Sequence, residues 1–455
     1  MGNISRILCC ALLLAFPAWG ESLPDGGLAA RHEAAIAEPL TLPQAVSAAL
    51  SNNAGLAQSH ARAKALAEIP SQVSTLPDPT LSLSALNLPT DTYSVSQEAM
   101  TQMQVGVGVS LPFPGKLGLR EQAASFEAHE AEFDANETQL VMVRNVRLTW
   151  WNLFFLDRAI SIVQHNQELL RQFVRIAETK YKTGQGMQSD VLLAQVELSR
   201  LLDNEISLKA SRRGQAAALN ALLNRPALAP VILPAQDNEL LPFVPAVEPL
   251  RKLALESRPA LSAQRSAQEA ARTRVTLAEK DYYPDFKLGA AYGFRRGNNP
   301  NGSARADLTS FTFSMNLPIF TGAKQDSALA QRRAEALQQQ YALQDRAAQV
   351  DAQIVQALSD YRAAYERASL FKTGIIPQAS QTAASMLAAY QVDKVDFLNL
   401  VRAQVTLFDY ETQYWKAVSS SWQAWARLQA AVGTTITQTA KQANAEKTDK
   451  EKVDE

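Results

Sequence analysis

Three aspartates, Asp190, Asp393 and Asp396, fall at turns between long helical stretches. A carboxylate there can cap the helix that follows, accepting hydrogen bonds from the free N–H groups of its first turn. Gathered around an aperture, the same carboxylates would concentrate and select cations through their field. The sequence leaves both roles open. Met100 and Met103 carry soft sulfurs of the kind that bind monovalent copper or silver, but two methionines are weak evidence for such a site and plain packing at a strand end is the preferred reading. Phe113, Tyr283, Phe286 and Phe320 stand where alternating segments meet helices. They are placed either for an aromatic girdle at a membrane interface or for packing that joint, and the two are compatible. His32, His60, His129 and His165 are scattered and fit no metal-ligand spacing. With no nucleophile motif and no phosphate-cradling glycine loop, the chain is not expected to be an enzyme, and no cofactor is implied.

Bulk charge narrows the classes further. Of 455 residues, 44 are basic and 45 acidic, a net charge of −1, so there is no cationic excess to grip phosphates and nucleic-acid binding is not expected. Hydrophobic residues make up 47%, enough for a sizeable core. Residues 1–20 read as a secretory signal, with Arg6, an apolar run over 7–16 and a small-x-small site at Ala18-Trp19-Gly20. The apolar run is too short to span about 30 Å of hydrocarbon as an anchor. Cys9 and Cys10, the two cysteines of the sequence, lie inside that signal and precede most of its apolar run, so the mature chain is expected to carry neither a disulfide nor a lipid on an N-terminal cysteine. No later stretch approaches 18 uninterrupted apolar residues. Any membrane insertion must therefore use strands.

The elements that position these residues come twice. Pro77-Asp78 is echoed by Pro284-Asp285, the run 110–116 by 316–324, and Tyr181 with 194–198 by Tyr390 with 403–407, at nearly one spacing of roughly 207 residues. This is an internal duplication with too few units for a solenoid. Each half opens with a helix, over 42–70 and again from Leu253. Each then carries two alternating segments: Leu81 and Leu83 begin one, and Met103–Leu111, Phe286–Phe294 and Phe311–Leu317 are the others. They are apolar on one face and small or polar on the other, as in membrane-barrel strands of about 9–11 residues or in half-buried strands of a soluble sheet. The connections within each pair, 90–100 and 295–306, are polar. Between pairs come helical runs over 116–182 and 323–391, the first reaching roughly 100 Å if unbroken, the second interrupted at Gly374 and Pro377. The expected organisation is a signal at 1–20, a first repeat at 21–224, a proline-rich extended linker at 225–248, a second repeat at 249–433 and a polar, disordered tail at 434–455.

Four strands cannot close a barrel with a usable lumen, and an open sheet in lipid would leave its edges unsatisfied. Symmetric self-association resolves both problems. In this ordered set of features, from about Leu40 to Gly433, the chain resembles the TolC-like outer-membrane efflux family. The stretches 76–79, 97–101 and 112–117 are most similar to the heavy-metal branch of CzcC- and CusC-type ducts.

That resemblance implies an α+β membrane channel-tunnel: a homotrimer whose twelve-stranded β-barrel, four strands per protomer, continues into a long α-helical periplasmic barrel. It implies a location in outer-membrane lipid with the helices in the periplasm, and a passive role between an inner-membrane pump of the RND type, a periplasmic adaptor and the exterior. The cargo implied is heavy-metal cations, with drug efflux or type I secretion as the alternative. A soluble periplasmic coiled-coil scaffold is the rival from another class, and the alternating segments argue against it. Under the resemblance, 183–190 and 392–399 are the periplasmic tips. The two aspartates that ring the aperture in some relatives fall here on Asn399 and Arg402, so an acidic ring is not reproduced at those positions, and Asp190, Asp393 and Asp396 are the nearby candidates.

Overall fold

The computed structural model describes residues 39–235 and 244–434, and every element below belongs to the unit that begins at Leu40. The signal segment, the middle of the linker and nearly all of the tail lie outside the described residues.

The first half opens with three helices where the sequence suggested one: α1 (Leu42–Asn52), α2 (Ala54–Ala67) and α3 (Ile69–Ser74). Thr41 starts α1 through a capping box with Gln44. The expected continuous helix breaks at Asn53, whose backbone is extended and whose side chain caps α2 by accepting from Leu56 N at 3.1 Å. Its amide also donates to Leu222 O across the fold, which holds the break in place. Strands β1 (Thr80–Leu86) and β2 (Gln102–Leu111) follow, then α4 (Lys116–Lys182) and α5 (Gln188–Leu222). Gly115 sets the entry to α4 at φ 91°, a conformation that favours glycine. At 67 residues α4 spans about 100 Å.

Residues 225–235 dock on the first half, with Leu40 N donating to Ile232 O and Val231 buried. The next helix, α6 (Val247–Ser257), already includes Pro249, which a first helical turn tolerates. Helix α7 (Pro259–Glu279) is again separate, because Arg258 is extended before a proline. Strands β3 (Phe286–Phe294) and β4 (Leu308–Met315) lead into α8 (Gln325–Leu370), α9 (Ile376–Gln391) and α10 (Phe397–Val432). The interruption expected at Gly374 and Pro377 takes the form of one π turn, Phe371–Ile375, between α8 and α9. Proline has no N–H to return to the preceding turn, and a wider turn accommodates that loss.

The four strands form one antiparallel sheet in chain order. Helix α4 packs against α5, α7 and α10, and α8 packs against α7 and α10. Alanines make the close approach possible: Ala123, Ala131 and Ala135 on α4 and Ala263, Ala270 and Ala271 on α7 are buried. A wider core surrounds Trp150, Trp151 and Phe154, where Trp422 stacks on Trp151 at 5.0 Å.

Candidate functional site

The sheet sorts its side chains completely enough to define two faces. Across the four strands, Leu81, Val107, Ala290 and Phe311 stand in register, flanked by the rows Leu83–Val105–Tyr292–Thr309 and Val109–Leu288–Phe313. The alternate rows read Thr80–Gly108–Gly289–Thr312 and Ser82–Gly106–Ala291–Ser310. Since residues opposite each other share a face, one face is apolar and the other small and polar. Leu81, Leu83, Val107, Leu288, Phe311 and Phe313 are nonetheless all exposed. The small face permits a close fit: a Cβ on Gly106 would meet Ser82 Oγ at 2.8 Å. Met103 lies on the apolar face opposite Phe294, and Met100 is exposed in the preceding loop.

At the inner end of the sheet a charged joint connects the halves. Lys116, 2% exposed, places Nζ 3.0 Å from carboxylate oxygens of both Asp281 and Asp285. Asp285 also accepts from Phe113 N at 2.8 Å. Partial burial pushes the Asp285 carboxyl up, but the Phe113 N–H and the Lys116 ammonium outweigh it and hold it below the ordinary carboxylate range. Phe113 stacks on Tyr283 at 4.5 Å, with Lys280 over both rings. Phe286 stacks on Phe313 at 5.9 Å, while Phe320 stands exposed. Farther along the α4–α7 seam, Arg274 pairs with Glu127 and Arg258 with Glu137, the latter at 2.7 Å. Sequence reasoning missed these pairs. Charged residues at helical spacing read as a solvated face, and only the packing of α7 on α4 shows which of them are enclosed.

The turns 183–187 and 392–396 close the two helical hairpins. Asp396 is the N-cap of α10, accepting from Asn399 N at 2.9 Å. Asp393 holds a left-handed backbone at φ 61° and pairs with Lys180. Lys180 also donates to Tyr390 O at 2.8 Å and lies over the Tyr390 ring at 4.6 Å, which fastens the end of α4 to the end of α9. Asp190 sits in the first turn of α5. Burial, with the charges of Asp190 and Asp393, pushes the Tyr390 hydroxyl up to about 12. Asp190 and Asp393 thus act on one neighbour, whereas Asn399 and Arg402 are exposed on α10. Among the described residues no group of three or more His, Cys, Asp or Glu is arranged to hold a metal, and no helix is long and apolar enough to cross a membrane.

Residues 45–225 and 250–434 each match the family described as Outer membrane efflux protein. The chain belongs to that family. The two matched segments correspond to the two runs of helix, hairpin and helices described above. The cobalt-zinc-cadmium resistance protein CzcC of Cupriavidus metallidurans is 24% identical over 392 residues, covering 85% of this chain and 88% of that protein. Among solved structures, the outer membrane protein VceC of Vibrio cholerae superposes with a TM-score of 0.74 at 19% identity, covering 87% of this chain and 97% of that one. CusC, whose structures concern folding and transmembrane channel formation, gives 0.73 at 16% identity, covering 89% and 96%. The protein is an outer-membrane efflux protein and not an enzyme.

Proposed function

We propose that three copies of the chain close one twelve-stranded barrel and form the passive exit duct of a heavy-metal efflux system. The observation that carries the duct is the sheet: an apolar face, a small polar face, and two outer strands whose outer edges have no partner among the described residues. In lipid such edges must be paired, and closing the sheet on further copies pairs them while turning the polar face to a lumen. The metal cargo is supported by similarity along most of the chain to a protein named for cobalt, zinc and cadmium resistance. Substrate would arrive from an RND-type pump through a periplasmic adaptor. Exposed Tyr181, Met187, Val392 and Leu398 at the hairpin ends support docking there. The duct supplies no energy; its selectivity comes from lining and tip charge.

Comparing a deletion strain with its complemented parent against copper, silver, zinc, cobalt, cadmium, drugs and detergents tests the cargo. Sensitivity confined to metals is expected. Sensitivity to drugs alone would overturn the metal assignment and leave the duct standing.

A further inference from the structure

The chain contains the template of a contact that it does not itself complete. Its two hairpins share one register: Leu81 faces Val107 in the first, and Leu288 faces Phe313, roughly 207 residues on, in the second. Between the hairpins, β2 pairs with β3 so that Val109 faces Leu288, Val107 faces Ala290 and Val105 faces Tyr292. Carried through the same displacement, β2 becomes β4 and β3 becomes β1. The three pairs become Met315 with Leu81, Phe313 with Leu83 and Phe311 with Ala85. In one chain β1 and β4 lie at opposite ends of the sheet, so these pairs require a second copy. All six side chains fall on the apolar face, as the displaced register demands.

The flanking residues agree. Inside the chain, the β2–β3 contact is sealed by Phe113 on Tyr283 and by Lys116 on Asp285. The counterparts of the first pair are Ile319 and Phe320, 71% and 76% exposed, and Leu76, also exposed. The counterparts of the second, with the two extra residues of the run 316–324 counted, are Lys324, at the N-cap of α8, and Asp78. Among the described residues neither Lys324 nor Asp78 has an ionic partner. Each end of the sheet thus presents half of a joint, one half apolar with a cation and the other apolar with an anion.

We propose that β4 of one copy pairs with β1 of the next in the register the chain uses between its own halves, with Met315 opposite Leu81, Phe313 opposite Leu83 and Phe311 opposite Ala85. Lys324 closes on Asp78 of the next copy as Lys116 closes on Asp285, and Ile319 and Phe320 cover Leu76. This assignment rests on the duct reading, because closure in lipid is what requires the edges to pair.

Paired cysteines test it, because Cys9 and Cys10 both precede the described residues. Leu81→Cys with Met315→Cys, and Leu83→Cys with Phe313→Cys, bring sulfurs into disulfide range across a strand pair. Oxidised in isolated outer membranes, both are expected to run as covalent dimers and trimers on non-reducing gels. Leu81→Cys with Phe311→Cys and Ala85→Cys with Met315→Cys, each displaced by four residues, are expected to stay monomeric. Linkage by a displaced pair and not by the in-register pairs would overturn the register. No linkage from any pair, in membranes that still hold a conducting oligomer, would overturn it and leave the duct intact; soluble protein without conductance would overturn both. For the ion pair, Asp78→Lys and Lys324→Asp alone should each lower the temperature at which the oligomer dissociates, and the double exchange should recover it. A double exchange no better than either single one would remove that contact from the account.

Discussion

Lys116 Nζ and Asp285 Oδ1 stand 3.0 Å apart, and they bring together the first helix turn after one hairpin and the residue before the next. The lysine is enclosed while its two carboxylate partners remain partly in water, so the two sides of the contact are unequal. Asp285→Ala strands the Phe113 N–H and leaves the buried ammonium with Asp281 alone; a cost of about 2 kcal/mol is expected. Lys116→Met leaves carboxylates that water can still reach and should cost about 1 kcal/mol. Thermal unfolding in detergent checks both, and an Asp285→Ala protein as stable as the parent would contradict the assignment.

The same contact sets an acid limit. The folded-state pKa of Asp285 is lowered, so the unfolded chain takes up the proton first as pH falls. The contribution is complete above the ordinary aspartate value of about 3.9 and is lost as pH drops through the lower folded value. Stability measured from pH 6 downward should fall below about pH 4, and Asp285→Asn should start lower and lose less over that interval.

The two faces of the sheet predict opposite responses to charge. Val107→Lys puts an ammonium on the apolar face and should cost about 2–4 kcal/mol if it lies near the bilayer midplane, seen as loss of the folded form in outer membranes. Ser310→Lys, on the alternate face of β4, should fold and shift ion selectivity in bilayer recordings.

At the tips, capping and gating separate by residue. Asp396→Ala removes the α10 cap and should cost about 1 kcal/mol of stability. Asp190→Asn, with no cap to lose, should leave stability unchanged and reduce cation preference, measured as a smaller reversal potential in a salt gradient.

Much of the architecture was legible because its signals are local. The alternation of Met103 to Leu111 with glycines and polar residues, the Pro-Gly turn before Lys116 and the unbroken helical composition up to Lys182 each act within a few residues. The strand begun by Leu81 and Leu83, β1, was the least regular in sequence, and its register with β2 identifies it. What stayed hidden depends on partners far along the chain. Asn53 looked like one polar residue in a helix until its amide met Leu222 O from the end of α5. Lys116 and Arg258 are enclosed because the two halves pack on each other, Lys116 against Asp281 and Asp285 and Arg258 against Glu137. Asp396 was readable as a cap from its position before a helical run, but Asp393 was not readable as the partner of Lys180, which lies 213 residues away in the chain.

Purified protein in a planar bilayer tests the central claim most directly. A passive duct predicts stepwise, ohmic conductance that needs no nucleotide or proton gradient, with cation preference altered by Ser310→Lys. Folded oligomer that inserts into the bilayer and yet carries no current under any voltage or salt gradient, with Asp190, Asp393 and Asp396 neutralised as well as intact, would contradict it.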